Sequence, residues 1–137
     1  MEKVIQDIWI LNEAGTVLYH RVYDKEVNEQ LFGALMSALN MFAEQISQSG
    51  LSSFELEDKK FFMMKQNRIT FIANSSTKTK EKKVKDQMKN IASKFFNLYP
   101  KEFFDKWDND ISIFEGFEDH IKGSLKETID RFEKAFW

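Results

Sequence analysis

The segment Val4 to Leu11 (VIQDIWIL) limits the fold more than any other stretch, because it is apolar on both alternating faces. Ile5, Trp9 and Leu11 fall on one side of an extended chain, and Val4, Ile8 and Ile10 on the other. A strand covered on both sides reads this way, so it belongs at the centre of a sheet. Asn12-Glu13-Ala14-Gly15-Thr16 then reads as a turn, with Gly15 free to take positive φ. Val17 to Tyr23 returns as the second strand of a hairpin. Its mixture of Tyr19, His20, Arg21 and Tyr23 suits an edge position.

Asp24 or Asn28 is placed to cap a long helix ending near Gly50. Leu31, Leu35, Ala38, Leu39, Phe42 and Ile46 recur at steps of three and four, which predicts one apolar face turned to the sheet. Phe32, Met36 and Ala43 form a second row, and Gly33, Ser37, Asn40 and Glu44 a small and polar face. Leu51–Glu57, Lys60–Lys65 and Arg68–Asn74 predict three short strands, with turns at Asp58-Lys59 and Gln66-Asn67. The spacers are too short for crossovers, so the three run as an antiparallel meander. Ser75 to Thr79 offers capping hydroxyls to a second helix marked by Val84, Met88, Ile91, Phe95 and Leu98 and stopped by Pro100. A short turn, Lys101 to Trp107, leads to a third helix carrying Phe117, Ile121, Leu125, Ile129, Phe132 and Phe136. The reading is one α+β domain over residues 1–137.

Composition removes whole classes of function. The chain has no Cys, so thiolate metal sites, a Cys nucleophile and disulfides are excluded. Twenty Lys and Arg against 22 acids give a net charge of -2, which argues against nucleic-acid binding. No apolar run approaches the ~20 residues of a membrane span, and the start lacks a signal-peptide core, so a cytoplasmic domain is expected. No Ser sits in a nucleophile elbow, and no Gly-rich loop precedes Lys-Ser/Thr. His20 and His120 read as ordinary solvated or half-buried side chains. Asp105, Asp108 and Asp110 invite a calcium loop, but Ile113 stands where its turn glycine is required, so they read as loop and capping acids. The expectation is a binding protein with no catalytic residue, metal or cofactor.

Two surfaces suggest binding. Lys78, Lys80, Lys82, Lys83, Lys85, Lys89 and Lys94, against Glu81 and Asp86, give a local +5 at the start of the second helix. Cations there oppose the helix dipole, so the cluster points to an acidic partner or an anionic membrane. On the first helix, if the longer stripe faces the sheet, Phe32, Met36, Asn40 and Met41 remain as a partner surface rich in adaptable Met.

The opening hairpin, Ile8-Trp9-Ile10-Leu11-Asn12-Glu13-Ala14-Gly15-Thr16-Val17-Leu18-Tyr19, together with the order of elements, resembles longin domains. The chain looks like the small longin subunits of TRAPP tethering complexes and, less closely, small adaptor-complex subunits. Its Phe-, Lys- and Ile-rich style is similar to longin and roadblock proteins of archaea related to eukaryotes. The resemblance implies a five-stranded antiparallel sheet in the order 2-1-5-4-3, with one helix on one face and two on the other, a profilin-like layout. It also implies binding without catalysis: a platform for small GTPases, tethers or other longin and roadblock subunits, as a homo- or heterodimer. The sequence ends at Trp137 without a heptad SNARE segment, which suits a stand-alone longin. A different class with a related layout is a PAS- or profilin-like sensor, holding a small ligand between sheet and helix in a pocket lined by Trp9, Tyr19 and Phe71.

Overall fold

The computed structural model describes residues 4–22, 28–47, 52–56 and 58–121. Strands β1 (Asp7–Leu11) and β2 (Val17–Arg21) are followed by helix α1 (Glu29–Ile46). The meander β3 (Ser53–Glu55), β4 (Lys59–Gln66) and β5 (Ile69–Ser76) leads to α2 (Glu81–Leu98). One turn of helix, α3 (Lys101–Asp105), a 3₁₀ helix (Ile111–Phe117) and α4 (Glu118–Ile121) complete the described chain. The strands form one antiparallel sheet in the order β2-β1-β5-β4-β3. The doubly apolar β1 lies inside it as expected, every residue buried.

The first turn is built by Asn12, whose Oδ1 accepts from the backbone N–H groups of Ala14 and Thr16, both at 3.0 Å. Gly15 takes φ +86° there. The register shifts between Ile10 and Leu11, so that Ile10 faces Tyr19 while Leu11 faces Val17. This bulge puts Leu18 and Tyr19 into the same core cluster and leaves Val17 in the opposite one. The β4–β5 turn is one residue later than expected. Asn67 and Arg68 are its central residues, at φ 51° and 68°, the doubly left-handed geometry that matches strand twist.

Each face of the sheet carries its own core. Trp9, Leu11, Val17, Met36, Phe61 and Ile72 pack under α1. Ile8, Ile10, Phe62, Phe71 and Ala73 pack on the other face against Val84, Met88, Ile91 and Phe95 of α2, with Phe114, Phe117 and Ile121 beside them. Of the expected α2 stripe only Leu98 is not buried. The sheet therefore separates Trp9 from Tyr19 and Phe71, which point into opposite cores and share no pocket.

The C-terminal part departs from expectation. Phe117 closes a 3₁₀ helix, α4 (Glu118–Ile121) is the described part of the expected third helix, and the rest of that helix lies outside the described residues. Aromatic rings hold this region to α2. Phe95 lies 5.4 Å edge-on from Phe117 and 5.8 Å from Phe114, and Tyr99 lies 4.8 Å from Phe114. The Tyr99 hydroxyl donates to the Ile113 carbonyl at 3.2 Å. Asp110 caps the 3₁₀ helix, accepting from the Ser112 N–H and hydroxyl, which lowers its carboxyl pKa. No hydroxyl caps α2. Lys80 occupies that position without a side-chain cap bond.

Candidate partner surface

Helix α1 begins at Asn28, whose side chain accepts from the Leu31 N–H at 3.0 Å. Its seat on the sheet is set by small residues. Gly33 lies so close to the β1–β2 turn that any side chain there would strike the Gly15 carbonyl. The Gln30 amide locks the same end. Its Oε1 accepts from the Val17 N–H at 3.1 Å, and its Nε2 donates to the Val17 carbonyl at 3.2 Å. One side chain thus answers both backbone groups of an edge-strand residue. Phe32 then stacks on Trp9 with ring centroids 4.2 Å apart.

These contacts rotate the helix relative to expectation. The small and polar face, Gly33, Ser37 and Asn40, with Phe32 and Met36 beside it, meets the sheet. The long apolar stripe faces away: Leu31 is 69% exposed, Leu35 54%, Phe42 63% and Ile46 76%. The physical reason is distance. A helix backbone approaches a turn this closely only through glycine, and Gly33 lies nearly opposite the Leu35–Phe42 row on the wheel. Met36 is thus corrected from surface to core, being 3% exposed, and Phe32 is half-buried against that core. Asn40 is half-buried and Met41 exposed. Sequence reasoning missed Leu31, Leu35, Leu39, Phe42 and Ile46 as the outward surface. The signal that would have found them is Gly33 on the face opposite the richest stripe.

Met36, Asn40 and Met41 do come together elsewhere, in a cleft of about 280 Å³ between the second half of α1 and the sheet.

The lysines expected to act together are all exposed around the first turns of α2: Lys78, Lys80, Lys82, Lys83, Lys85 and Lys89. Lys85 is tied at 3.0 Å to Glu81, which also lies 3.6 Å from Lys60. The Lys85 contact and the two positive charges hold the Glu81 carboxyl below its usual pKa. Glu81 thus neutralises part of the cluster, while Lys82 and Lys89 stand exposed on the helix. Among the described residues no group of His, Asp or Glu is arranged to hold a metal ion. No described helix is long and apolar enough to cross a membrane.

This layout, a five-stranded antiparallel sheet with α1 on one face and α2 with the C-terminal turns on the other, is the fold of longin and roadblock domains. Myxococcus xanthus MglB superimposes with a TM-score of 0.55 at 11% identity, over 77% of this chain and 83% of that one. A roadblock/LC7 domain from Streptomyces avermitilis superimposes with a TM-score of 0.54 at 15% identity, over 70% and 85%. The gliding protein MglB from Thermus thermophilus gives 0.52 at 11% identity, over 61% and 70%. No curated protein matches the chain in sequence. Residues 6–101 match the family described as the first longin domain of FUZ, MON1 and HPS1, and the chain belongs to that longin family.

Proposed function

We propose that this chain is a non-enzymatic protein-interaction module, an adaptor in a small-GTPase regulatory or membrane-trafficking complex. In this reading it works by pairing the outward face of α1 with the same face of a second chain, a further copy or a related longin or roadblock subunit. The carrying observation is the exposed row itself, which is its own complement. In an antiparallel pair Leu31 meets Ile46, Leu35 meets Phe42 and Ala38 meets Leu39, so large meets large and the small residue lies by the axis. Removing a Leu, Ile or Phe side chain from water is worth roughly 1.5–3 kcal/mol. Two copies each contribute four, on the order of 12 kcal/mol at the lower figure. That offsets most of an association cost of roughly 4–15 kcal/mol.

The lysine cluster at the start of α2 is, in this reading, the surface for an acidic subunit or an anionic leaflet. The reading needs no catalytic residue or cofactor. Sedimentation velocity tests the pairing. A dimer that becomes monomeric in Leu35→Glu/Phe42→Glu, with its circular dichroism unchanged, supports it. A chain that stays monomeric at every concentration, alone and with related subunits, overturns it.

A further inference from the structure

The cleft beside α1 has a chemistry of its own, separate from the outward row. Because Gly33 and Gln30 pin the helix at its N-terminal half, the half from Met36 to Glu44 leaves a gap over β4 and β5. Its floor is apolar and closed: Ile72 and Leu11 are buried, with Met63 half-buried beside them. Met36 and Met41 supply the helix wall, so flexible thioethers line two sides.

The rim is charged and uneven. Glu44 on α1 and Glu13 on the β1–β2 turn stand at the helix side, and Lys65 on β4 at the other. Asn40 donates to the Glu44 Oε1 at 3.0 Å and fixes that carboxylate on the same helix face as Met36. Asn12, Ser37 and Thr70 join Asn40 as the neutral polar groups of the lining. The volume suits one or two side chains, too little for a helix and about the lower end of a small-ligand site.

We infer that this cleft receives an apolar side chain lying next to a lysine or arginine, presented by an extended segment of a partner protein. The apolar group enters the methionine-lined floor. The cation meets Glu13 and Glu44. Lys65 faces the segment's backbone carbonyls and so fixes its direction. Charge complementarity selects this occupant, since an acidic segment would place like charges against both carboxylates.

The methionines make the test internal. Of the six in the chain, Met36, Met41 and Met63 line the cleft, while Met64 and Met88 belong to the opposite core. The full chain, labelled at its methionine methyls, is titrated with a blocked tetrapeptide of alternating leucine and lysine, and with its glutamate counterpart. Saturable shifts at Met36, Met41 and Met63 with the lysine peptide, absent at Met64 and Met88, are expected. Glu13→Gln/Glu44→Gln should weaken that binding about five-fold, as two exposed charge contacts imply. Equal response to both peptides, shifts at all five methyls, no shift at all, or binding unchanged in the double variant overturns the inference.

Discussion

Gly33 on α1 lies so close to Gly15 that a β-carbon at position 33 would stand 2.6 Å from the Gly15 carbonyl oxygen. The same atom would stand 2.7 Å from the Val17 Cγ2. Neither the backbone oxygen nor the stiff β-branched Val17 can easily yield. Gly33→Ala therefore forces α1 off the turn and should cost about 1–3 kcal/mol in thermal or urea unfolding. Gly116, where an added methyl would meet nothing within 4 Å, is the control. Gly116→Ala should be neutral or stabilise by up to about 1 kcal/mol.

The antiparallel register of the proposed α1 pair is open to cross-linking, because the chain contains no cysteine of its own. Ala38→Cys places two thiols beside the axis and should form a disulfide-linked dimer under mild oxidation. Leu31→Cys places them about 22 Å apart along the helices and should not. A parallel pair would link both variants equally.

The lysine cluster makes a graded prediction. Lys85 is already engaged by Glu81, so Lys82→Glu/Lys89→Glu should weaken binding to anionic vesicles more than Lys85→Glu does. Reversing Lys80, Lys82, Lys83 and Lys85 together should abolish it, and added salt should release the native chain. Vesicle co-sedimentation measures all of these. No binding by the native chain removes the membrane from the list of acidic surfaces and leaves an acidic subunit.

Tyr19 supplies a pH dependence. Burial first, then the Glu118 carboxylate, push its phenol pKa well above the ordinary 10.0. The unfolded chain then ionises this group before the folded one does. The contribution is fully present below pH 10 and is lost as pH rises through the folded value, by up to about 1.4 kcal/mol per pH unit. Tyr19→Phe should flatten the alkaline limb of a stability–pH curve. It should cost little near neutrality, since the buried hydroxyl has no hydrogen-bond partner among the described residues.

The sheet was legible because its signal is binary. A strand apolar on both sides has one place to go, and spacers too short for crossovers make β3, β4 and β5 an antiparallel meander, while the pairing of β1 with β5 was implied by the longin resemblance. Helix α1 was legible as a helix but not in its orientation. Amphipathicity names an apolar stripe without saying whether a sheet or another chain covers it, and here glycine clearance decided. The β4–β5 turn slipped by one residue because Arg68 carries no sign of its left-handed backbone. Past Pro100 the third helix was expected from Phe117, which closes a 3₁₀ helix instead, because apolar spacing does not mark where one helical form passes into the other; helix begins at Glu118.

Ring contacts running from Phe71 through Phe95 to Phe117 join the middle of the sheet to the last described turns. Family likeness ends at residue 101, yet the folding unit does not. A chain cut at that boundary would lose the Phe114 and Phe117 rings that cover one side of Phe95 and Tyr99, and the apolar patch so opened would make copies clump.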